Sequence, residues 1–179
     1  MNRRQLAVAL GVAALSGCAI TPPAIDRSAG EVLSGRLAVQ VAAGDGVAAR
    51  HVSGQFELQG NADAGTLNLV TPLGTMIAQA RWQPGDVRLT TPQGESAFTD
   101  LDSLSREVLG ESLPLAALFD WLRGRPWPGS TSAVTVPPEE PGFRQLGWTV
   151  SLARIGDAQV SARRDTPPAV SLRARLDRP

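Results

Sequence analysis

Short stretches in which apolar and polar residues alternate recur along most of this 179-residue chain. In the clearest one, over 169–177, Val170, Leu172 and Ala174 alternate with serine and arginine residues. Successive side chains of a β-strand point to opposite faces, so the pattern predicts strands with one apolar and one polar face. Similar stretches lie at 36–41, 49–59, 67–69, 76–82, 87–89, 94–98, 132–136, 142–147, 148–155 and 157–164.

Two segments between these stretches have helical rather than strand spacing. Leu101, Leu104 and Val108 predict a first helix, with Thr99 or Asp100 as its N-cap and Gly110 just past its end. The second helix is expected to begin at Pro114 and to end before Gly124 and Pro126. Its apolar residues recur at positions three and four apart: Leu115, Leu118, Phe119 and Leu122.

About ten or eleven antiparallel strands that share one apolar face should curl toward a barrel. The fold class is therefore mostly β (α+β). We expect an unclosed antiparallel β-barrel in which the helical insertion covers the open side or part of an apolar cavity.

Composition excludes several functional classes. The chain has one histidine, one cysteine and no tyrosine, which rules out a Cys/His zinc cluster and a disulfide framework. Basic and acidic residues number 17 each, and this balance argues against nucleic-acid binding. His51 lies in no catalytic motif and is interpreted as a polar-face residue, and Asp100 and Asp102 fit helix capping. We expect no enzyme, no cofactor and no metal site.

The N-terminus has the pattern of an export signal. Arg3 and Arg4 precede the apolar run Leu6–Leu15, which is too short to span a bilayer, and Cys18 follows small residues. Residues 15–18, LSGC, closely resemble a bacterial lipobox, in which the cysteine is lipidated and the peptide before it is removed. We predict a signal peptide over 1–17, a lipidated N-terminus and flexible tether over 18–30, and a single domain over 31–179.

Several motifs, in the same order, resemble the LolB family of outer-membrane lipoprotein receptors. They cover most of the mature chain, and TPLG and LPL…WLRGRP are the most specific. The motifs are LSGC at 15–18, GRLAV at 35–39, SGQFEL at 53–58, LVTPLGT at 69–75 and LGESLPLAALFDWLRGRP at 109–126.

The resemblance implies an unclosed barrel with helices plugging it, and a monomer. It also implies a receptor that takes acylated lipoproteins from the periplasmic carrier LolA and inserts them into outer-membrane lipid, without nucleotide or metal. Cys18 favours the receptor over a soluble carrier of the same fold. Ala19, which stands where aspartate marks inner-membrane retention in enteric-type bacteria, points to a lipid-anchored, periplasm-facing position on the outer membrane.

Two sets of site residues follow. The turn Thr71–Gly74 has Pro72 at its second position and an apolar residue, Leu73, at its tip. From the pattern alone, Leu73 either folds back onto the core or is exposed; the resemblance implies that it inserts into the membrane. Candidates for the lining of a lipid cavity, which the pattern alone does not distinguish from an ordinary core, are Leu37, Val39, Phe56, Leu58, Leu67, Leu69, Met76, Leu118, Trp121, Leu122, Val150 and Leu152.

An alternative is an envelope lipoprotein with an unrelated scaffold or assembly role, whose sheet binds protein rather than lipid. An exposed apolar cavity would favour lipid transfer, and a tightly filled barrel would favour the scaffold. Trp127, between two prolines, either packs over the end of the second helix or contacts a partner.

Overall fold

The computed structural model describes residues 32–44 and 48–177. The predicted signal peptide, Cys18 and the tether over 18–30 lie outside these residues. No helix in the described ranges is long and apolar enough to cross a bilayer. The elements are β1 (Leu33–Val41), β2 (Arg50–Gly60), β3 (Gly65–Val70), β4 (Met76–Gln83), β5 (Asp86–Thr91), β6 (Gly94–Phe98), α1 (Leu101–Leu109), α2 (Leu115–Leu122), β7 (Ser132–Val134), β8 (Gly142–Gln145), β9 (Trp148–Ser151), a short 3-10 helix (Ile155–Asp157), β10 (Gln159–Arg164) and β11 (Val170–Leu176).

One antiparallel sheet contains all eleven strands, in the order β6-β5-β4-β3-β2-β1-β11-β10-β9-β8-β7. The first and last strands of the chain, β1 and β11, pair in the middle of the sheet. One half of the sheet therefore consists of β1 to β6, and the other half of β7 to β11. Strands β6 and β7 remain as edges, which makes the barrel unclosed. The predicted fold class is confirmed.

The alternation in the sequence matches the two faces of the sheet. Along β1, Val39 and Val41 are buried while Arg36 and Gln40 are exposed. The register places Val39 opposite Leu172 of β11 and Val52 of β2, so apolar side chains form continuous rows across the strands. We call this apolar side, on which the helices pack, the inner face, and the other the outer face.

One strand departs from simple alternation. The sequence predicts that Met76 shares a face with Ala78, Ala80 and Trp82, and this is wrong. The register between β3 and β4 shifts at Leu69 and Val70, so Met76 lies opposite Val70 on the outer face and is 39% exposed. An extra residue at a β-bulge reverses the facing of every residue beyond it.

Helix α1 has the predicted ends. The Asp100 side chain accepts a hydrogen bond from the Ser103 amide at 2.7 Å, and the Asp100 amide donates one to Ser103 Oγ, which completes a capping box. The hydrogen bonds to the Asp100 carboxylate from Ser103 lower the pKa of Asp100. Gly110 ends the helix with a left-handed φ of 76°.

Helix α2 begins one residue later than expected. Pro114 is its N-cap rather than its first residue, because its ψ of 67° lies outside the helical region. Strand β9 is also shorter than predicted, since the chain turns after Ser151 into the 3-10 helix that leads to β10. Neither difference changes the topology.

Candidate functional site

Helix α2 lies across the inner face and contacts both halves of the sheet. Its Phe119 ring meets Trp82 of β4 edge-on, with 5.7 Å between ring centroids. Its Trp121 ring lies 6.4 Å from Phe143 of β8 and 6.0 Å from Trp148 of β9. One short helix therefore bridges strands from opposite halves of the sheet and fills the concave side.

A buried glutamine holds the end of this helix. Gln145 is 3% exposed, and its Oε1 accepts hydrogen bonds from Trp121 Nε1 at 2.8 Å and the Trp127 amide at 2.9 Å. Its Nε2 donates to the carbonyls of Trp127 at 2.6 Å and Ser130 at 2.9 Å. Both donors and both acceptor positions of the amide are used, so strand β8 fixes α2 and the segment after it.

Two arginines on the sheet also contact the helical region, near the C-terminal end of α1 and in the α1–α2 connection. Arg50 Nη1 donates to the carbonyls of Glu107 and Val108 at the C-terminal end of α1. Arg164 of β10 pairs with Glu111, in the α1–α2 connection, at 2.5 Å, and both side chains are only 19% exposed. The Arg164 guanidinium also lies 5.8 Å from the centroid of the Trp148 ring.

The residues predicted to line a lipid cavity are brought together, with one exception. Three of the twelve, Leu37, Leu67 and Leu152, are partly buried against the core. Met76 lies on the outer face, as described above. The remaining eight are at most 8% exposed and belong to the filled interior: Val39, Phe56, Leu58, Leu69, Leu118, Trp121, Leu122 and Val150.

The turn between β3 and β4 is exposed to solvent, unlike these buried residues. Its tip, Leu73, is 94% exposed, more than any other large apolar residue described. The Thr71 carbonyl accepts from the Gly74 amide at 2.9 Å, and Thr71 Oγ1 accepts from the Thr75 amide at 3.1 Å. Gly74 has a left-handed φ of 82°, which glycine adopts without strain. The turn is therefore held by hydrogen bonds among its own residues while Leu73 projects into solvent.

Other candidates have ordinary roles. His51 is an exposed residue on the outer face of β2, opposite Gln40. Trp127 packs against the core rather than projecting, and its ring occupies the space that a side chain at Gly129 would need. Within residues 32–44 and 48–177, no three histidine, cysteine, aspartate or glutamate side chains are grouped as a metal site would require.

Comparison with known proteins identifies this architecture. The family model described as outer membrane lipoprotein LolB matches residues 32–176, which contain all eleven strands and both helices. The chain belongs to the LolB family. That match confirms the resemblance and covers the motifs from residue 35 to residue 126; the lipobox at 15–18 lies outside the matched residues.

Individual LolB proteins align over most of the chain. The outer-membrane lipoprotein LolB of Bordetella pertussis is 33% identical over 154 residues, covering 83% of this chain and 76% of that protein. The one from Thiobacillus denitrificans is 34% identical over 163 residues, covering 86% and 84%. The one from Ralstonia nicotianae is 32% identical over 191 residues, covering 99% and 89%.

Membership decides the broad class of the protein. LolB proteins are lipid-anchored outer-membrane lipoproteins that serve lipoprotein localisation and are not enzymes. The predicted location and the prediction that the chain is not an enzyme are therefore confirmed by the comparison.

Sequence reasoning missed two structural residues of this LolB domain. Gln145 lies in a predicted strand, where its inner-face position among apolar neighbours was the available signal. The sequence contains less signal for Arg164, because its partner Glu111 is 53 residues away in the chain. Neither pairing has a local sequence pattern.

Proposed function

We propose that this chain is the receptor that accepts acylated lipoproteins from the periplasmic carrier LolA and inserts them into the outer membrane. Lipid on Cys18, after removal of residues 1–17, tethers the protein, and residues 18–30 connect the anchor to the domain over 31–179. Stable anchoring needs more than one acyl chain, which fits modification of both the thiol and the new amino terminus.

The observation that carries this proposal is the projecting Leu73 within a self-supporting turn in a LolB-family chain. Burying one leucine in a bilayer interface stabilises by roughly 1.5–3 kcal/mol, which is too little to anchor a protein. It is enough to orient a protein that is already tethered. Leu73 therefore directs the domain toward the lipid into which cargo is released.

Cargo acyl chains need an apolar site during transfer. Each methylene buried from water is worth about 0.8 kcal/mol, so exposing one whole chain costs on the order of 10 kcal/mol. The inner face supplies apolar side chains, but helix α2 covers it, and Leu58, Trp121 and Val150 are at most 2% exposed. Entry of an acyl chain therefore requires α2 to give way. The seven candidates on the inner face of the sheet, together with Leu152 and the three on α2, line the site that opens.

The filled interior taken alone favours the scaffold alternative, since a scaffold lipoprotein binds partners with its surface. Family membership and the exposed apolar tip favour transfer, because a scaffold has no need of a leucine aimed at lipid. Without an energy source, cargo moves only if it binds the receptor more tightly than the carrier and the bilayer more tightly than the receptor. A scaffold protein would not take cargo from the carrier. A transfer assay therefore distinguishes the two functions.

The experiment separates acceptance from release. The lipidated protein is reconstituted in liposomes and mixed with LolA loaded with a radiolabelled lipoprotein. Cross-linking measures cargo on the receptor, and resistance to alkaline extraction measures cargo in the membrane. We compare the wild type with Leu73→Glu and with Val134→Glu, a control at a second aliphatic side chain that is 80% exposed.

We expect Leu73→Glu to accept cargo normally but to release at least tenfold less into the membrane, because a carboxylate resists entry into lipid. Its free energy of unfolding should change by less than about 0.5 kcal/mol, as for most exposed positions. Val134→Glu should behave as the wild type. Failure of the wild type to take cargo from LolA would reject the receptor function, and normal release by Leu73→Glu would reject the role of the turn.

A further inference from the structure

The outer face of the sheet has a groove with an arginine-rich wall. It crosses β1, β11 and β10 and has a volume of about 880 Å³. We call its four exposed cationic residues the arginine groove: Arg36, Arg154, Arg173 and Arg175. One acidic residue, Glu140, lines it too. In a chain of zero formal net charge, this is a marked local concentration of positive charge.

Three of these arginines lie close together on neighbouring strands. Arg36 lies directly opposite Arg175 in the β1–β11 register, and Arg173 is the next residue along β11 on the same face. Like charges that are directly opposite across a pair of strands destabilise it. Within the described residues, no carboxylate lies within ion-pair distance of Arg36, Arg173 or Arg175.

Of the four arginines, only Arg154 has an acidic partner within ion-pair distance in the described part of the chain. Asp157 pairs with Arg154 at 3.3 Å, and Asp177 accepts a hydrogen bond from Ser34. Glu140 accepts a hydrogen bond from Ser151 at 2.5 Å. Within the described residues, Arg36, Arg173 and Arg175 therefore lie side by side without an ion pair of their own, although Asp157 and Asp177 line an adjoining pocket with Arg36 and Arg175. An external anion would reduce the repulsion among these like charges.

The arginine groove is adjacent to the projecting turn. Pro72, the residue before Leu73, lines the same groove as the four arginines. The apolar tip and the cationic surface are therefore neighbours on the molecule. A surface that Leu73 enters presents its head groups to these guanidinium groups.

We infer that the arginine groove binds the phosphate groups of anionic lipids when Leu73 enters the bilayer interface. Guanidinium groups match phosphate oxygens in geometry, with two parallel N–H donors per arginine. Each basic side chain near an anionic membrane strengthens binding about fivefold. The inference rests on the proposed role of Leu73, and it adds lipid charge as a determinant of how the domain is oriented.

The main measurement reads insertion of the turn directly, without carrier or cargo, and the cargo-transfer assay is the second readout. Thr75→Cys places a single thiol for an environment-sensitive dye beside Leu73, because the chain's only cysteine, Cys18, carries the lipid. The labelled, lipidated chain is reconstituted in phosphatidylcholine vesicles and in vesicles of equimolar phosphatidylcholine and phosphatidylglycerol. The tested variant is Arg36→Gln/Arg175→Gln, and the control with the same change in charge is Arg81→Gln/Arg106→Gln, which removes two exposed arginines outside the groove.

We expect the dye to enter the interface more in anionic than in neutral vesicles, with the difference shrinking at high salt. Arg36→Gln/Arg175→Gln should lower the population with an inserted turn in anionic vesicles by about 30-fold and leave neutral vesicles unaffected. Its melting temperature should stay equal or rise, because two opposed cations are removed. The control variant should match the wild type.

Three results would overturn the inference. Equal insertion by Arg36→Gln/Arg175→Gln and the wild type would show that the groove does not meet lipid. Loss of the anionic-vesicle effect in inorganic phosphate, but not in chloride of the same ionic strength, would assign the site to a soluble phosphate. Loss of cargo acceptance from LolA with unchanged insertion would assign the groove to protein docking. Failure of the receptor function itself would instead appear as no cargo transfer by the wild type, whatever the dye reports.

Discussion

The end of helix α2 and the turn Thr71–Thr75 are held by opposite means. Around α2, a buried amide on β8 connects residues far apart in the chain and has all its hydrogen bonds used. In the turn, Thr71 hydrogen-bonds to Gly74 and Thr75, and the Leu73 side chain is exposed to solvent. Substitutions at the first site should therefore cost stability, while those at the second should cost function with little effect on the fold.

The largest effect is expected at Gln145. Gln145→Leu has similar size but leaves Trp121 Nε1, the Trp127 backbone and the Ser130 carbonyl without their partner. Unpaired buried polar groups cost about 1–3 kcal/mol each, so we expect a loss of about 3–5 kcal/mol in the free energy of unfolding. Denaturant titration measures it, with the exposed Gln83→Leu as control. A loss below about 1 kcal/mol would show that water replaces the amide and that α2 is not fixed there.

A smaller effect is expected where the α1–α2 connection meets β10. Glu111→Gln leaves the Arg164 charge mostly buried without its counterion, and we expect a loss of about 2 kcal/mol. The matched control is Glu95→Gln, which breaks the exposed pair with Arg88 and should cost less than about 0.5 kcal/mol. Denaturant titration of both variants in low and high salt measures the difference. Equal losses for the two would mean that burial does not strengthen the Arg164 pair.

The smallest effect on stability is expected in the turn itself. Gly74→Ala meets no atom within 4 Å, so the only cost is a left-handed backbone for a residue with a side chain, about 1 kcal/mol. Gly156→Ala, also in open space but without a left-handed φ, is the control. Thermal melts give the stability, and the two-step transfer assay gives the function. A loss above about 2 kcal/mol would mean that the turn is coupled to the core and is not held by its own hydrogen bonds.

Local pattern was enough to predict most of the elements. Period-two alternation placed the strands, and helical spacing placed α1 and α2. Gly110 marked the end of α1, and its N-cap was narrowed to Thr99 or Asp100. The Thr71–Gly74 turn was predictable as well, because Pro72 fixes its own φ and Gly74 permits the left-handed φ that closes the turn. These features depend on residues within a few positions of one another, so the sequence contains them explicitly.

The tertiary structure decided what depends on pairing between distant segments. A register shift between β3 and β4 put Met76 on the outer face, although its sequence spacing places it with Trp82. Packing of α2 showed that the interior is filled, which apolar periodicity cannot reveal because core and cavity wall require the same side chains. The β1–β11 pairing brought Arg36 against Arg175, separated by 139 positions, and so created the arginine groove. Register, packing and cross-strand proximity are set by the global minimum of many weak contacts, and no short window of sequence specifies them.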